Sequence, residues 1–329
     1  MTRVAINGFG RIGRYVARLI ANRTDMELIA INDLANAQTL AHLLKYDSVH
    51  YRFNGTVTAA ENSIFVNGKE IKLFAERLPE NLPWASLNVD LVIESTGLFR
   101  TYEKVLPHIN AGAKKVIISA PSDGEGVKNV VMGINEDILD GSELILSNAS
   151  CTTNCAAPMV KVIHELCTIE SGYITTIHSY TNDQRLHDSP HSDLRRARAA
   201  AQSIIPTSTG AAKAITRIFP ELDGKLGGCG IRVPVPDGSL TDISCTVKNP
   251  VSVEVINAAF KKYAEGNLKN ILEYTEDPIV SIDIIGNPHS CIFDAELTSV
   301  IGNMIKVVGW YDNEAGYSNR LIDLVKKIG

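Results

Sequence analysis

With 329 residues, 45% of them hydrophobic, the chain carries enough apolar material for a sizeable core and two domains. Its formal net charge of -5, with acidic and basic residues mixed along the sequence, offers no basic face for nucleic acid, so an anionic ligand needs a local basic pocket. Six irregularly spaced cysteines read as reduced thiols, and no apolar run has leader-peptide or membrane-spanning character, so a soluble cytoplasmic protein without a membrane partner is expected.

The first predicted element is a short strand at Val4, Ala5 and Ile6. It runs into Gly8-Phe9-Gly10-Arg11-Ile12-Gly13 and then a helical pattern through Val16, Ala17, Leu19 and Ile20. In such a strand, turn and helix unit the first glycine permits the tight turn. The second lets backbone approach a pyrophosphate, and the third lets helix pack close to strand. A second buried strand over 28–32 closes on Asp33, where a dinucleotide fold places the acid that binds a ribose hydroxyl. Residues 51–73, with Asn62 and Asn67-Gly68 as turn signals, predict hairpins inserted in this domain. Strands over 91–94 and 116–119 end in Ser95-Thr96-Gly97 and Ala120-Pro121, polar ends of the kind that line the crevice of an open parallel sheet.

A further strand, Leu144, Ile145 and Leu146, turns through Ser147-Asn148-Ala149-Ser150-Cys151-Thr152-Thr153-Asn154-Cys155 into an amphipathic helix carrying Pro158, Met159, Val162, Ile163 and Leu166. That spacing puts the Cys151 thiol at a helix N-terminus. Unpaired N–H groups and the helix dipole favour an anion there, so a nucleophilic thiolate is expected, with the Ser150, Thr152 and Thr153 hydroxyls beside it. A β-branched strand over 173–178 ends in His178. Residues 179–203 are then polar and arginine-rich, a run long enough to read as a functional loop or an interface. Strands near 231–235, 240–247, 280–285 and 304–310, with a helix over 253–264, predict an antiparallel sheet with helices on one face. An amphipathic helix ends the chain. The fold class is therefore α/β. A Rossmann-type dinucleotide-binding domain over 1–150, onto which the helix at about 314–329 packs back, precedes an α+β catalytic domain with an antiparallel sheet over 151–313.

These stretches, together with His178-Ser179-Tyr180-Thr181-Asn182-Asp183-Gln184, Asp193-Leu194-Arg195-Arg196-Ala197-Arg198, Thr207-Ser208-Thr209-Gly210-Ala211-Ala212-Lys213-Ala214 and Trp310-Tyr311-Asp312-Asn313-Glu314, resemble the phosphorylating glyceraldehyde-3-phosphate dehydrogenases along essentially the whole chain. The resemblance implies a homotetramer that oxidises glyceraldehyde 3-phosphate with NAD and inorganic phosphate to 1,3-bisphosphoglycerate. The alternative within the family is erythrose-4-phosphate dehydrogenase, whose members tend to lack the Tyr180-Thr181-Asn182 run. A binding protein without turnover is the alternative outside it. The chemistry suits the residues. A Cys151 thiolate adds to an aldehyde to give a hemithioacetal, and His178 takes the hydroxyl proton as hydride leaves for the nicotinamide. As a cation, His178 would also hold the thiolate. The resulting thioester keeps the energy of oxidation for attack by phosphate.

Two phosphate sites are also implied, which guanidinium forks, hydroxyls and helix N-termini build best. Thr181 and Arg232 would hold the substrate phosphate; Ser150, Thr152, Arg196, Thr209 and Gly210 would hold the attacking one. For the cofactor, Gly8, Gly10 and Gly13 shape the turn, Arg11 and Ile12 offer backbone N–H groups, and Asp33 takes the ribose hydroxyls. Arg77, Thr96 and Ser119 surround the bases, and Asn313 bonds the carboxamide. Asp33 repels a 2'-phosphate and favours NAD. The pair Ser189-Pro190, where NAD-specific relatives carry leucine-proline, leaves some NADP use open. Ala315 and Pro236-Asp237-Gly238 also depart from the family pattern, away from the chemistry. Arg195 and Arg198 are expected in loop structure or a subunit interface. Cys155, one turn after Cys151, lacks zinc spacing, so no metal is assigned; Cys167, Cys229, Cys245 and Cys291 are read as packing residues.

Overall fold

The first apolar run becomes β1 (Thr2–Asn7), the middle strand of a nine-stranded sheet in a computed structural model that describes residues 1–122 and 124–329. After α1 (Arg11–Ile20) come β2 (Met26–Asn32), α2 (Ala37–Lys45), β3 (Val57–Ala59), β4 (Ser63–Val66), β5 (Lys69–Phe74), β6 (Leu91–Glu94), α3 (Tyr102–Asn110), β7 (Lys115–Ile118), β8 (Lys128–Asn129) and β9 (Ile145–Ser147). The order across the sheet is β3-β4-β5-β2-β1-β6-β7-β9-β8, parallel except at the β3-β4-β5 edge. Val4, Ala5, Ile6, Leu91, Val92 and Ile93 are fully buried although neighbours point to opposite faces, as a parallel sheet covered on both sides requires. The expected hairpin forms at Asn67 (φ +51°) and Gly68 (φ +80°), which join β4 to β5. Because β2 lies on one side of β1 and β6 on the other, the crevice at their carboxyl ends is the topological switch point of the sheet.

This unit comprises residues 1–132, 136–149 and 318–329; residues 133–135 and 150–317 form the second. The second unit contains α4 (Cys151–Cys167), β10 (Ile169–Ser179), β11 (Ile205–Thr207), α5 (Ala211–Ile218), β12 (Leu226–Val233), β13 (Ser239–Val247), α6 (Val253–Glu265), β14 (Leu272–Thr275), β15 (Cys291–Asp294), β16 (Ser299–Ile301) and β17 (Met304–Tyr311), before the closing helix α7 (Ala315–Ile328). Its sheet runs β11-β12-β10-β13-β17-β15-β14, with β16 on β17. It is mainly antiparallel, with parallel pairs at β10/β12 and β14/β15. On β13, buried Ser239, Thr241, Ile243, Cys245 and Val247 alternate with more exposed residues, so one face is the covered one. α4 lies against β10, β13, β15 and β17 and is buried without a break from Thr152 to Val160.

Residues 280–285 are not the strand their alternation suggested. They form a 3-10 turn (Ser281–Ile284), because the Asp283 carboxylate accepts the Val280 N–H at 2.8 Å while the Asp283 N–H returns to the Val280 carbonyl at 2.9 Å. The strands missed in sequence, β8, β11, β14, β15 and β16, have two to four residues each, too few for alternation to register. Among the described residues no helix is long and apolar enough to cross a membrane.

Candidate active site

α4 begins where the expected turn placed it. Ala149 takes the left-handed conformation (φ +53°), and Ser150 caps the helix by accepting the Thr153 N–H on its hydroxyl at 3.0 Å. Cys151 is the first helical residue, and its Sγ lies 3.4 Å from His178 Nε2, at the end of β10. Arg232 pairs with His178 in register on the parallel strand β12. Its Nη1 is 2.5 Å from His178 Nδ1 and donates to the Ser179 carbonyl at 3.0 Å; that same carbonyl lies 2.7 Å from Nδ1.

The electrostatics differ from the sequence expectation. Enclosure by protein pushes the Cys151 thiol up, to about 11, against the opposing pull of Arg232 and of the Thr152 N–H and hydroxyl. Enclosure likewise pushes the His178 imidazole down, to about 3, and Arg232 adds to that push. Both shifts oppose a thiolate–imidazolium pair. The cation that favours sulfur as an anion is Arg232, not an imidazolium.

The anion-binding candidates fall into two groups. Arg196 Nη1 donates to Asp183 at 2.5 Å and its Nε to the Thr207 hydroxyl at 3.0 Å, while the Thr181 hydroxyl donates to the other Asp183 oxygen. Burial, the largest single influence, pushes the Asp183 carboxyl up, but the Thr181 hydroxyl, Arg196 and Arg232 together hold it below its ordinary range. Thr181 and Arg196 thus meet on one carboxylate, on which Arg232 acts through its charge alone and which sequence reasoning missed. Its position two residues after Thr181, in a turn closed by the Gln184 N–H on the Thr181 carbonyl, was the available signal. Thr209 and Gly210 stand apart from this bonded set at the start of α5, where the Thr209 hydroxyl accepts the Ala211 N–H at 3.2 Å. The Ser150 hydroxyl is engaged as a cap. That of Thr152 joins a buried chain through Tyr311 Oη, at 2.9 Å, to the Thr176 hydroxyl at 2.8 Å. Arg195 is exposed, and Arg198 pairs with Asp188 at 2.8 Å.

Asn313 is buried, and its Oδ1 accepts from the hydroxyls of Ser179 at 2.7 Å and Ser239 at 2.6 Å. The Ser239 oxygen also accepts the Ser179 N–H at 3.1 Å, so its hydrogen is committed to Asn313. The amide is locked with its N–H groups left to donate. Neither serine was singled out in sequence, because both are brought to Asn313 by strand pairing.

In the first unit the remaining candidates follow the carboxyl ends of five neighbouring strands. The glycine turn with Arg11 and Ile12 follows β1, Asp33 follows β2, Arg77 lies beyond β5, Thr96 follows β6 and Ser119 follows β7. Gly8 has φ +92°, and a Cβ there would stand 2.6 Å from the Thr96 nitrogen; one on Gly13 would stand 2.3 Å from the Gly8 carbonyl oxygen. A Cβ on Gly10 meets nothing within 4 Å, and α1 starts there without a side-chain cap. A turn closed below and open above, at an uncapped helix start, fits a dinucleotide pyrophosphate. Asp33 accepts the Phe9 N–H at 2.8 Å and the Ala35 N–H at 3.0 Å, one on each oxygen, so the acid also holds the turn. The Arg11 guanidinium is clamped by Asp47 at 2.5 and 3.0 Å, and Arg77 is exposed.

Residues 2–102 match the family model of the glyceraldehyde 3-phosphate dehydrogenase NAD binding domain, and residues 150–313 that of its C-terminal domain. The chain is 60% identical to the glyceraldehyde-3-phosphate dehydrogenase of Thermotoga maritima over 99% of its own length and 98% of that protein. It is 56% identical to that of Geobacillus stearothermophilus and 55% identical to glyceraldehyde-3-phosphate dehydrogenase 2 of Streptomyces avermitilis, each over 99% of this chain and 98% of the relative. With a thiol and imidazole pair in one unit, a dinucleotide crevice in the other and these matches across both, the chain belongs to the glyceraldehyde-3-phosphate dehydrogenase family.

Proposed function

We propose that this protein catalyses the reversible phosphorylating oxidation of glyceraldehyde 3-phosphate to 1,3-bisphosphoglycerate with NAD. The observation that carries the reading is the 3.4 Å approach of Cys151 Sγ to His178 Nε2 at the start of a buried helix, with a guanidinium beside the pair. As sulfur adds to the aldehyde carbon, the thiol proton passes to His178 and on to the carbonyl oxygen, giving a hemithioacetal. Neutral His178 then takes the hydroxyl proton as the carbon is oxidised to a thioester on Cys151. Bound NAD supplies the hydride acceptor for that oxidation. Phosphate attack on the thioester carbon expels the Cys151 sulfur and forms the acyl phosphate. Arg232 and Thr181 bind the substrate phosphate, while Arg196, Thr209, Gly210, Ser150 and Thr152 serve the attacking phosphate. Gly8, Gly10, Gly13, Arg11, Ile12, Asp33, Arg77, Thr96 and Ser119 hold the cofactor, and the locked amide of Asn313 donates to its carboxamide.

The working form in this reading is a cytoplasmic homotetramer. Leu186, Leu194 and Ile204, exposed by 74%, 81% and 70% in and beside the long polar run, are apolar surface that a second copy would cover. All six cysteines are free thiols, in keeping with a reducing compartment. The test is a cofactor-reduction assay crossing glyceraldehyde 3-phosphate and erythrose 4-phosphate with NAD and NADP, each with and without phosphate. Strong phosphate dependence with glyceraldehyde 3-phosphate and NAD is expected. Phosphate-independent oxidation of erythrose 4-phosphate would overturn the substrate assignment, and a monomer in sedimentation the tetramer.

A further inference from the structure

Beneath the dinucleotide crevice lies a buried polar cluster in which a tryptophan donor sets the tautomer of a histidine. Trp84 Nε1, a donor only, donates to His108 Nδ1 at 3.0 Å. His108 therefore carries its hydrogen on Nε2 and donates to Glu94 Oε2 at 3.2 Å. Asn7 Nδ2 donates to the same oxygen at 2.5 Å. The second oxygen, Oε1, accepts the Thr96 N–H at 2.8 Å and the Thr96 hydroxyl at 2.5 Å. Asn7 Oδ1 accepts from Asn32 Nδ2 at 2.7 Å, and Asn32 in turn holds both the N–H and the carbonyl of Glu76 at 2.8 Å. Glu94, His108 and Trp84 are at most 1% exposed.

Four groups hydrogen-bond to Glu94, and three of them, the Thr96 N–H, the Asn7 amide and His108 Nε2, can only donate, which suits two accepting oxygens. Two of its partners, Thr96 and Asn7, sit at the ends of strands that form the crevice. Thr96 follows β6 and lies against Gly8; Asn7 is the last residue of β1 and Asn32 the last of β2, next to Asp33. We propose that Glu94 is a positioning residue of the cofactor site, one that fixes the glycine turn, Thr96 and the Asp33 strand end relative to one another. This rests on the reading of that crevice as the NAD site.

The test is Glu94→Gln. Whichever way the new amide turns, its NH2 group faces at least one group that can only donate, the Thr96 N–H on one side or Asn7 and His108 on the other. We expect NAD to bind about ten- to hundredfold more weakly by calorimetry, with a matching rise in its KM. The kcat at saturating NAD and the KM for the aldehyde should stay within about twofold of the parent. Trp84→Phe probes the same arrangement from its far end. With no donor on Nδ1, His108 is free to turn a bare Nε2 toward Glu94, and NAD affinity should fall severalfold in a folded protein. If Glu94→Gln does not fold, Trp84→Phe decides. Variants that melt earlier yet bind NAD as the parent does would overturn the assignment, since a purely structural role predicts that pattern. A parent protein that binds no NAD would overturn the reading of the crevice instead.

Discussion

Arg232 and His178 are register partners on adjacent parallel strands, and this pairing brings Nη1 to 2.5 Å from Nδ1. An arginine only donates, so a bare Nδ1 suits it and places the imidazole hydrogen on Nε2, facing sulfur. A hydrogen on Nδ1 suits the Ser179 carbonyl instead and leaves Nε2 as the base. Arginine engagement therefore bears on whether His178 donates to sulfur or accepts from it. Removing that guanidinium lets both groups rise, since it lowers the imidazole and the thiol alike. For Arg232→Leu the acid limb of the kcat profile should shift to higher pH, because the base is the neutral imidazole. Alkylation of Cys151 at neutral pH should slow, and the KM for the phosphorylated aldehyde should rise; an unmoved acid limb would contradict this.

Loss of the imidazole should be felt in chemistry rather than binding. His178→Asn is expected to lower kcat by about 10²- to 10⁴-fold, the usual range for a general base, with the NAD dissociation constant unchanged. Single-turnover formation of NADH is the measurement. A rate near that of the parent would remove His178 from the mechanism.

Asp33 has two tasks, so its replacement should have two effects. Asp33→Ala removes the charge that opposes a 2'-phosphate, and NADP should gain relative to NAD in kcat/KM. It also releases the Phe9 and Ala35 N–H groups, so the affinity for NAD itself should fall. Comparing both cofactors with both proteins separates the two. Unchanged discrimination would show that Ser189-Pro190 or another segment sets it.

Ser239→Ala unlocks Asn313. It removes one of two donors to Oδ1 and the acceptor of the Ser179 N–H. A loss of about 1 kcal/mol in urea unfolding is expected, together with a severalfold rise in the KM for NAD. Stability loss with an unaltered KM would place the amide outside the cofactor site.

How much of this was legible depended on range. The glycine turn, the Asn67-Gly68 hairpin and the start of α4 at Cys151 are set by neighbours in sequence, and local spacing located them. Relations made by strand pairing were not legible: Arg232 beside His178, the serines beneath Asn313, and Glu94 joined to Asn7 across 87 residues. Burial misled as well. A helix start suggested a thiolate, whereas desolvation of the surrounding site outweighs that local field.

The enclosure of α4 also says where movement during turnover must reside. Nine consecutive buried residues, from Thr152 to Val160, leave the element no partial opening short of loss of the surrounding core, so its amide protons should be among the slowest to exchange. The nucleophile is then an immobile post. Any adjustment to substrate then takes place outside α4, around a fixed sulfur.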